Sequence, residues 1–223
     1  MSLIAGSFLT LMCLILMYGW VKGDFRSLLF MSKKNTCPTL QSPVNIADVT
    51  SVLYPGQFRG GDYKPHGGFA LSRLNNDEVI VKAPIDAELV RVASNHQTVG
   101  IQYAMEFQTD CGLRLTFGHL LTVAPRFQAL FDKITPANDN SSETHAVRPS
   151  IHVQAGEVIA TAVGFKWEDG SPNTSFDFGV FERWTKNAIS QDPQWQVHEA
   201  YGTYDYERAL CWLDLLSPED SAR

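Results

Sequence analysis

Two histidines and a strand-borne aspartate, set among glycines, are the residues of this chain whose types and spacing could do chemistry. Gly60-Gly61-Asp62-Tyr63-Lys64-Pro65-His66-Gly67-Gly68-Phe69 places His66 beside backbone without side chains. There the main chain can turn sharply and bring a ligand or substrate close to an imidazole. The same segment also fits a plain glycine-rich hairpin whose histidine is only solvated. Farther along, His119 lies in Leu113-Arg114-Leu115-Thr116-Phe117-Gly118-His119-Leu120, and Asp177 lies in Ser175-Phe176-Asp177-Phe178-Gly179-Val180-Phe181. Both segments alternate apolar and polar residues as half-buried strands do.

The elements around them repeat one order. Residues 81–92 read as strand, turn at Pro84 to Asp86, and strand. Residues 153–164 repeat that logic around the Ala155-Gly156 turn. In the order and setting of these motifs, residues 58–182 resemble the lysostaphin/LytM-type zinc metallopeptidases, a family built on the duplicated hybrid β motif. The resemblance implies a mainly β fold, an antiparallel sheet or sandwich, to which the sequence adds an apolar N-terminal helix and a short C-terminal helix. It also implies roles for individual residues. His66 matches the first zinc ligand, and His119, in Phe117-Gly118-His119-Leu120, matches the catalytic histidine that stabilises the oxyanion. Gly67, Gly68, Ser175 and Trp167 fall where the family's groove takes substrate.

The departures fall on the metal. Four residues after His66 the family expects an aspartate ligand, and this chain has Ala70, whose methyl group has no electron pair to give. The late strand carries Ser175 and Asp177 where the family has two histidines. A catalytic zinc keeps three protein ligands and one water, so His66 and Asp177 alone predict weak or absent zinc. Asp62 either swings in as a third ligand or caps a turn.

Two readings follow. One is a cell-envelope module with a degenerate zinc site that binds peptidoglycan, a peptide or an envelope hydrolase. The alternative is an active zinc endopeptidase that cleaves peptidoglycan cross-link peptides, so enzymatic activity stays open at this point. A biotinyl or lipoyl carrier is excluded, because neither turn presents a lysine for modification.

The rest of the chain bounds the setting. A net charge of −6 with no basic cluster beyond Lys33-Lys34 argues against nucleic acid as a partner. Residues 3–21 carry no charge and are long enough to span most of a bilayer, so residues 1–22 are expected to be a signal peptide or a membrane anchor. No basic residue precedes the run and Lys22, Arg26, Lys33 and Lys34 follow it, which leaves cleavage and orientation open. The expected location is secreted, periplasmic or anchored facing outside the cytoplasm.

Residues 23–57 are a linker, 58–182 the β domain and 183–223 an aromatic-rich extension packed on the core. Within the domain, Asn75-Asn76-Asp77 is expected as a hairpin tip, and residues 124–150 as a polar loop around a short helix near Phe127 to Lys133. Apolar spacing from Tyr206 to Leu216 predicts an amphipathic helix ended by Pro218. Cys37, Cys111 and Cys211 suit one disulfide and one free thiol, with Cys211 bridged to Cys37 or Cys111, or else three reduced thiols. His96, His145, His152 and His198 are surface residues by default, and His152 is the one able to reach the site if the polar loop folds back.

Overall fold

A computed structural model of the chain describes residues 37–59, 61–97, 99–134, 141–188 and 203–221, without the side chains of Asp62 and Thr203. All of them belong to one compact unit, Cys37–Arg223. The apolar run of residues 3–21 and His198 lie outside the described residues. Among the described residues no helix is long and apolar enough to cross a membrane.

The protein is mainly β, and its strands pair antiparallel. The strands are β1 (Ser51–Leu53), β2 (Phe58–Arg59), β3 (Asp62–Tyr63), β4 (Gly67–Ala70), β5 (Val81–Lys82), β6 (Ala87–Gln97) and β7 (Gly100–Gln108). After β8 (Leu113–Val123) comes helix α1 (Pro125–Phe131), then β9 (Ser141–Val153), β10 (Val158–Val163), β11 (Phe165–Lys166), β12 (Pro172–Asn173) and β13 (Ser175–Glu182). One large sheet runs β1-β4-β13-β8-β7-β6-β9, and β10 joins both β8 and β5. Hairpins β2–β3 and β11–β12 stand apart from it.

The alternation on β13 divides the sheet into two faces. Phe176 and Phe178 are fully buried, whereas Ser175 and Asp177 are half-buried. Phe176 is in register with Phe69, and Phe178 with Phe117, so the aromatic rings meet on one side. Trp212 closes that layer from the C-terminal segment, 4.5 Å from the Phe69 ring and 5.3 Å from Phe178. Burying each such side chain contributes about 1.5–3 kcal/mol. The segment is tied down by backbone bonds as well: Leu40 N–H donates to Leu215 O, and Leu210 N–H to Val180 O.

Several local expectations change. Residues 206–216 do not form one helix; helical turns at Thr203–Tyr206 and Trp212–Leu215 are separated by extended residues that bond to β13, because Trp212 is drawn into the core. Residues 75–77 are no hairpin tip. They begin a 3-10 turn, Asn76–Glu78, and Asn76 is buried with its amide donating to the carbonyls of Val163, Phe165 and Asn173. The polar stretch after α1 is a loop only in part, since residues 141–150 lie in β9. Residues 135–140 lie outside the described set.

Cys37 is bonded to Cys111, and Cys211 is free and exposed, so the bridge excludes the expected partner. It ties the first described residue to the β7–β8 turn across a sequence separation of 74. By the loop-closure relation such a link is worth about 4 kcal/mol. Replacing Cys37 and Cys111 together with serine is expected to lower unfolding stability by an amount of that order in urea titrations, whereas Cys211→Ser leaves it unchanged.

Candidate functional site: a carboxylate held by two histidines and an arginine

Asp177 sits in the middle of the sheet, on the face opposite the aromatic layer. Its Cα is in register with Gly68 on one side and Gly118 on the other. A Cβ at position 118 would lie 3.3 Å from Asp177 Cβ, so a side chain there would crowd the carboxylate. A Cβ at position 68 would meet Phe176 O at 2.3 Å, so that neighbour must also stay bare. The two glycines leave Asp177 in a shallow trough, open to groups arriving from the strand ends.

His119 arrives through a break in β8. Up to Gly118 this strand pairs with β13, and from Leu120 it pairs with β10. Opposite β7, the register shifts between Met105, paired with Phe117, and Tyr103, paired with Leu120. His119 takes up the extra residue with φ of 58°, left-handed and uncommon for a residue with a Cβ. The bulge turns its ring onto the face of Asp177 instead of into the core.

Gly164 fixes this conformation. Its N–H donates to His119 O at 2.6 Å, its carbonyl accepts from Gln102 Nε2 at 3.0 Å, and Gln102 Oε1 meets His119 Nδ1 at 2.7 Å. A Cβ on Gly164 would stand 1.7 Å from Asn173 O, so only glycine completes the ring of bonds.

His66 Nε2 lies 3.1 Å and His119 Nε2 3.2 Å from the same oxygen, Asp177 Oδ2. Arg59 Nη2 lies 3.7 Å from Oδ1 and donates to His66 O at 3.2 Å, which holds the His66 backbone in place. Gln102 uses its amide hydrogens on Gly164, so its oxygen faces His119 Nδ1 as an acceptor. Burial alone would raise the Asp177 carboxyl, but the hydrogen bonds and charge of His119 and His66 outweigh it and hold the group well below the usual carboxylate range.

Among the described residues, which leave out the Asp62 side chain, the donor set is not disposed to hold a catalytic zinc. Ala70 is buried on β4 in register with Ser175, and no electron pair comes from that position. The nitrogen atoms that would face a metal instead point protons at Asp177, and a guanidinium stands beside the carboxylate. Among the described residues no group of three or more His, Cys, Asp or Glu side chains is disposed to hold a metal ion.

The structure thus brings His66, His119 and Asp177 together and leaves others apart. Gly68 and Ser175 share the face of Asp177. Gly67 does not: the place of its side chain is taken by Leu53 O and Trp212 Nε1, at 2.2 and 2.6 Å from an ideal Cβ, so its bareness serves packing. Trp167 is half exposed on the β11–β12 hairpin, edge-on to Phe165. The Asp62 side chain falls outside the described residues. His152 is not at the site; it pairs with Glu88 at 3.5 Å beside a separate cleft of about 480 Å³ that includes Asp86 and Asp110. His96 lies in β6 and His145 in β9. Arg59 and Gln102 were not singled out from sequence. Arg59 directly precedes the glycine segment, which is a local signal, whereas Gln102 is an ordinary polar residue of an alternating strand.

No protein-family model matches the chain, and no curated protein matches it. Among solved structures it is similar to Helicobacter pylori Csd3 in an orthorhombic crystal, with 13% identity and a TM-score of 0.40 over 81% of this chain. The chain spans 35% of that protein. A likeness at this level carries neither family nor activity.

The carboxylate cluster makes an acid-dependent prediction. Asp177→Asn is expected to lower stability at neutral pH by about 1–3 kcal/mol, the usual cost of stranding half-buried donors. An aspartate whose folded pKa is depressed contributes fully above its unfolded value of about 3.9 and loses that contribution as pH falls toward the folded value. Denaturation curves of the native protein and the variant should therefore converge below about pH 4; a constant gap from about pH 5 to 2.5 would contradict the assignment.

Proposed function

We propose that this chain is a cell-envelope module with a LytM-like sheet, in which an ion-paired cluster stands in place of the family's metal centre. On this reading it works by binding peptidoglycan, or an envelope hydrolase that acts on it, and does not cleave peptide bonds. The observation that carries the reading is Asp177 Oδ2 within hydrogen-bond distance of both His66 Nε2 and His119 Nε2. A hydrolytic site needs a Lewis acid or a free base to activate water. Here both histidines are engaged by a carboxylate, and the carboxylate is already compensated by them and by Arg59.

Binding chemistry is better served. The trough around Asp177 is partly open, with His119 about one-third exposed and Asp177 about one-quarter. Arg59, the histidines and Asp177 offer both donors and an acceptor to a polar chain lying over Gly68 and Ser175. Trp167 and Phe58, both exposed, supply ring faces on the two hairpins. The Cys37–Cys111 bond favours an oxidising compartment, in keeping with export or anchoring through residues 1–22.

Elemental analysis of the full chain, purified without chelators, separates this reading from the endopeptidase alternative. Well under one zinc per chain is expected, together with no release of peptides from purified sacculi and co-sedimentation with them that weakens in Arg59→Ala and His119→Ala. About one tightly held zinc per chain, lost in His66→Ala along with sacculus hydrolysis, would overturn the proposal.

A further inference from the structure

The last strand of the large sheet is β9, and no described strand pairs with the outer side of its residues 142–146. From Ser141 opposite His96 to Ala146 opposite Arg91 it follows β6 in unbroken register. The next pair is Ile151 with Leu89, so the intervening residues bulge away. Within the regular stretch, residues 142–146 are all exposed. Such an edge presents a row of backbone donors and acceptors, and natural sheets blunt it with charged side chains, lysine above all, with proline or with a bulge. Residues 142–146, Ser-Glu-Thr-His-Ala, contain no lysine or proline, and the bulge begins only after them.

The sequence of this edge is complementary to itself. Glu143 and His145 project to the same side of β9, and His145 Nε2 lies 2.6 Å from Glu143 Oε1. Antiparallel pairing of two copies about a two-fold axis through Thr144 sets Glu143 opposite His145 of the second copy, and His145 opposite its Glu143. Ser142 then meets Ala146, and Thr144 meets Thr144. Because side chains alternate between faces, moving the axis by one residue sets Glu143 opposite Glu143 or His145 opposite His145, and like groups directly opposite are destabilising; larger shifts part Glu143 from His145 altogether. One register alone joins acid to base at both places.

We propose that this edge is a homodimer interface, in which β9 pairs with β9 of a second copy about Thr144. The sheet then continues across the axis, and the faces that carry Asp177 in the two copies lie on the same side of it. Thr144 is in register with Ala93, on the face that leads through Ala104 to the β8 bulge. This inference does not rest on the ligand proposed above.

An interface of one strand pair is smaller than standard stable ones, so dissociation constants of about 10–100 µM are expected. Light scattering on the full chain in mild detergent should show the mass rising from monomer to dimer over that range. Thr144→Lys, which sets two ammonium groups opposite each other at an exposed position, should weaken dimerisation at least tenfold with unchanged thermal unfolding. In a background with Cys13→Ser and Cys211→Ser, Thr144→Cys should give a covalent dimer under mild oxidation and Glu143→Cys little. A monomer throughout that range, a dimer indifferent to Thr144→Lys, or equal cross-linking at 143 and 144 would overturn the proposal. The cross-linking pair keeps the test decisive even where the lysine variant folds poorly.

Discussion

The left-handed turn of His119 is the constraint on which the site depends. A strand whose residues simply alternated would send Phe117 and His119 to the same side, into the aromatic layer. At His119, β8 instead gives up β13 and takes β10, and the extra residue in the bulge reverses the direction of the ring. A φ of 58° is unfavourable for a residue with a Cβ, so its surroundings must supply the compensation. They do so through Gly164, which bonds the His119 carbonyl and, by way of Gln102, the His119 ring. Backbone strain, a tight glycine and a buried amide thus form a single unit whose output is the position of one imidazole nitrogen.

The opposite face explains why that unit is stable. Phe69, Phe117, Phe176 and Phe178 lie under the strands that carry the polar cluster, and Trp212 covers them from the C-terminal segment. Gly67 leaves room for the indole, so the glycines around His66 do two different jobs one residue apart. Gly67 admits the core from below, and Gly68 keeps the trough above Asp177 bare. The C-terminal segment is therefore part of the domain rather than an ornament upon it, since removing Trp212 would open the layer on which β4 and β13 rest.

How far the sequence spoke differs from residue to residue, for physical reasons. The alternation in Ser175-Phe176-Asp177-Phe178 assigns faces without ambiguity, because a period of two permits only one burial pattern, and β13 follows it as far as Phe178. His66 was visible through its glycines, yet their separate roles were not, because the indole that needs Gly67 lies far along the chain. Gln102 and Gly164 gave no local sign: each matters only through a bond that closes across the sheet. β9 was hidden by its polarity, since an edge strand exposed on both faces has no apolar alternation to display. The disulfide was equally illegible, as three cysteines in separate regions leave every pairing open until the strands fix which two approach.

Ala70, Asp177 and Arg59 become coherent when considered as charge. In a metal site, a divalent cation balances a carboxylate and draws on the lone pairs of neutral histidines. Here Asp177 supplies the carboxylate of the cluster, position 70 contributes none, and Arg59 supplies the fixed positive charge. The cluster meets its electrostatic requirement from within the chain, because Asp177 has donors on Oδ2 and a guanidinium near Oδ1. A cation entering it would have to displace the contacts of His66 and His119 with Asp177 and then lie beside Arg59, losing hydrogen bonds and meeting repulsion together. A ligand that adds its own acceptors and donors at the rim faces neither cost, which is the physical argument for the proposed recognition of a polar chain.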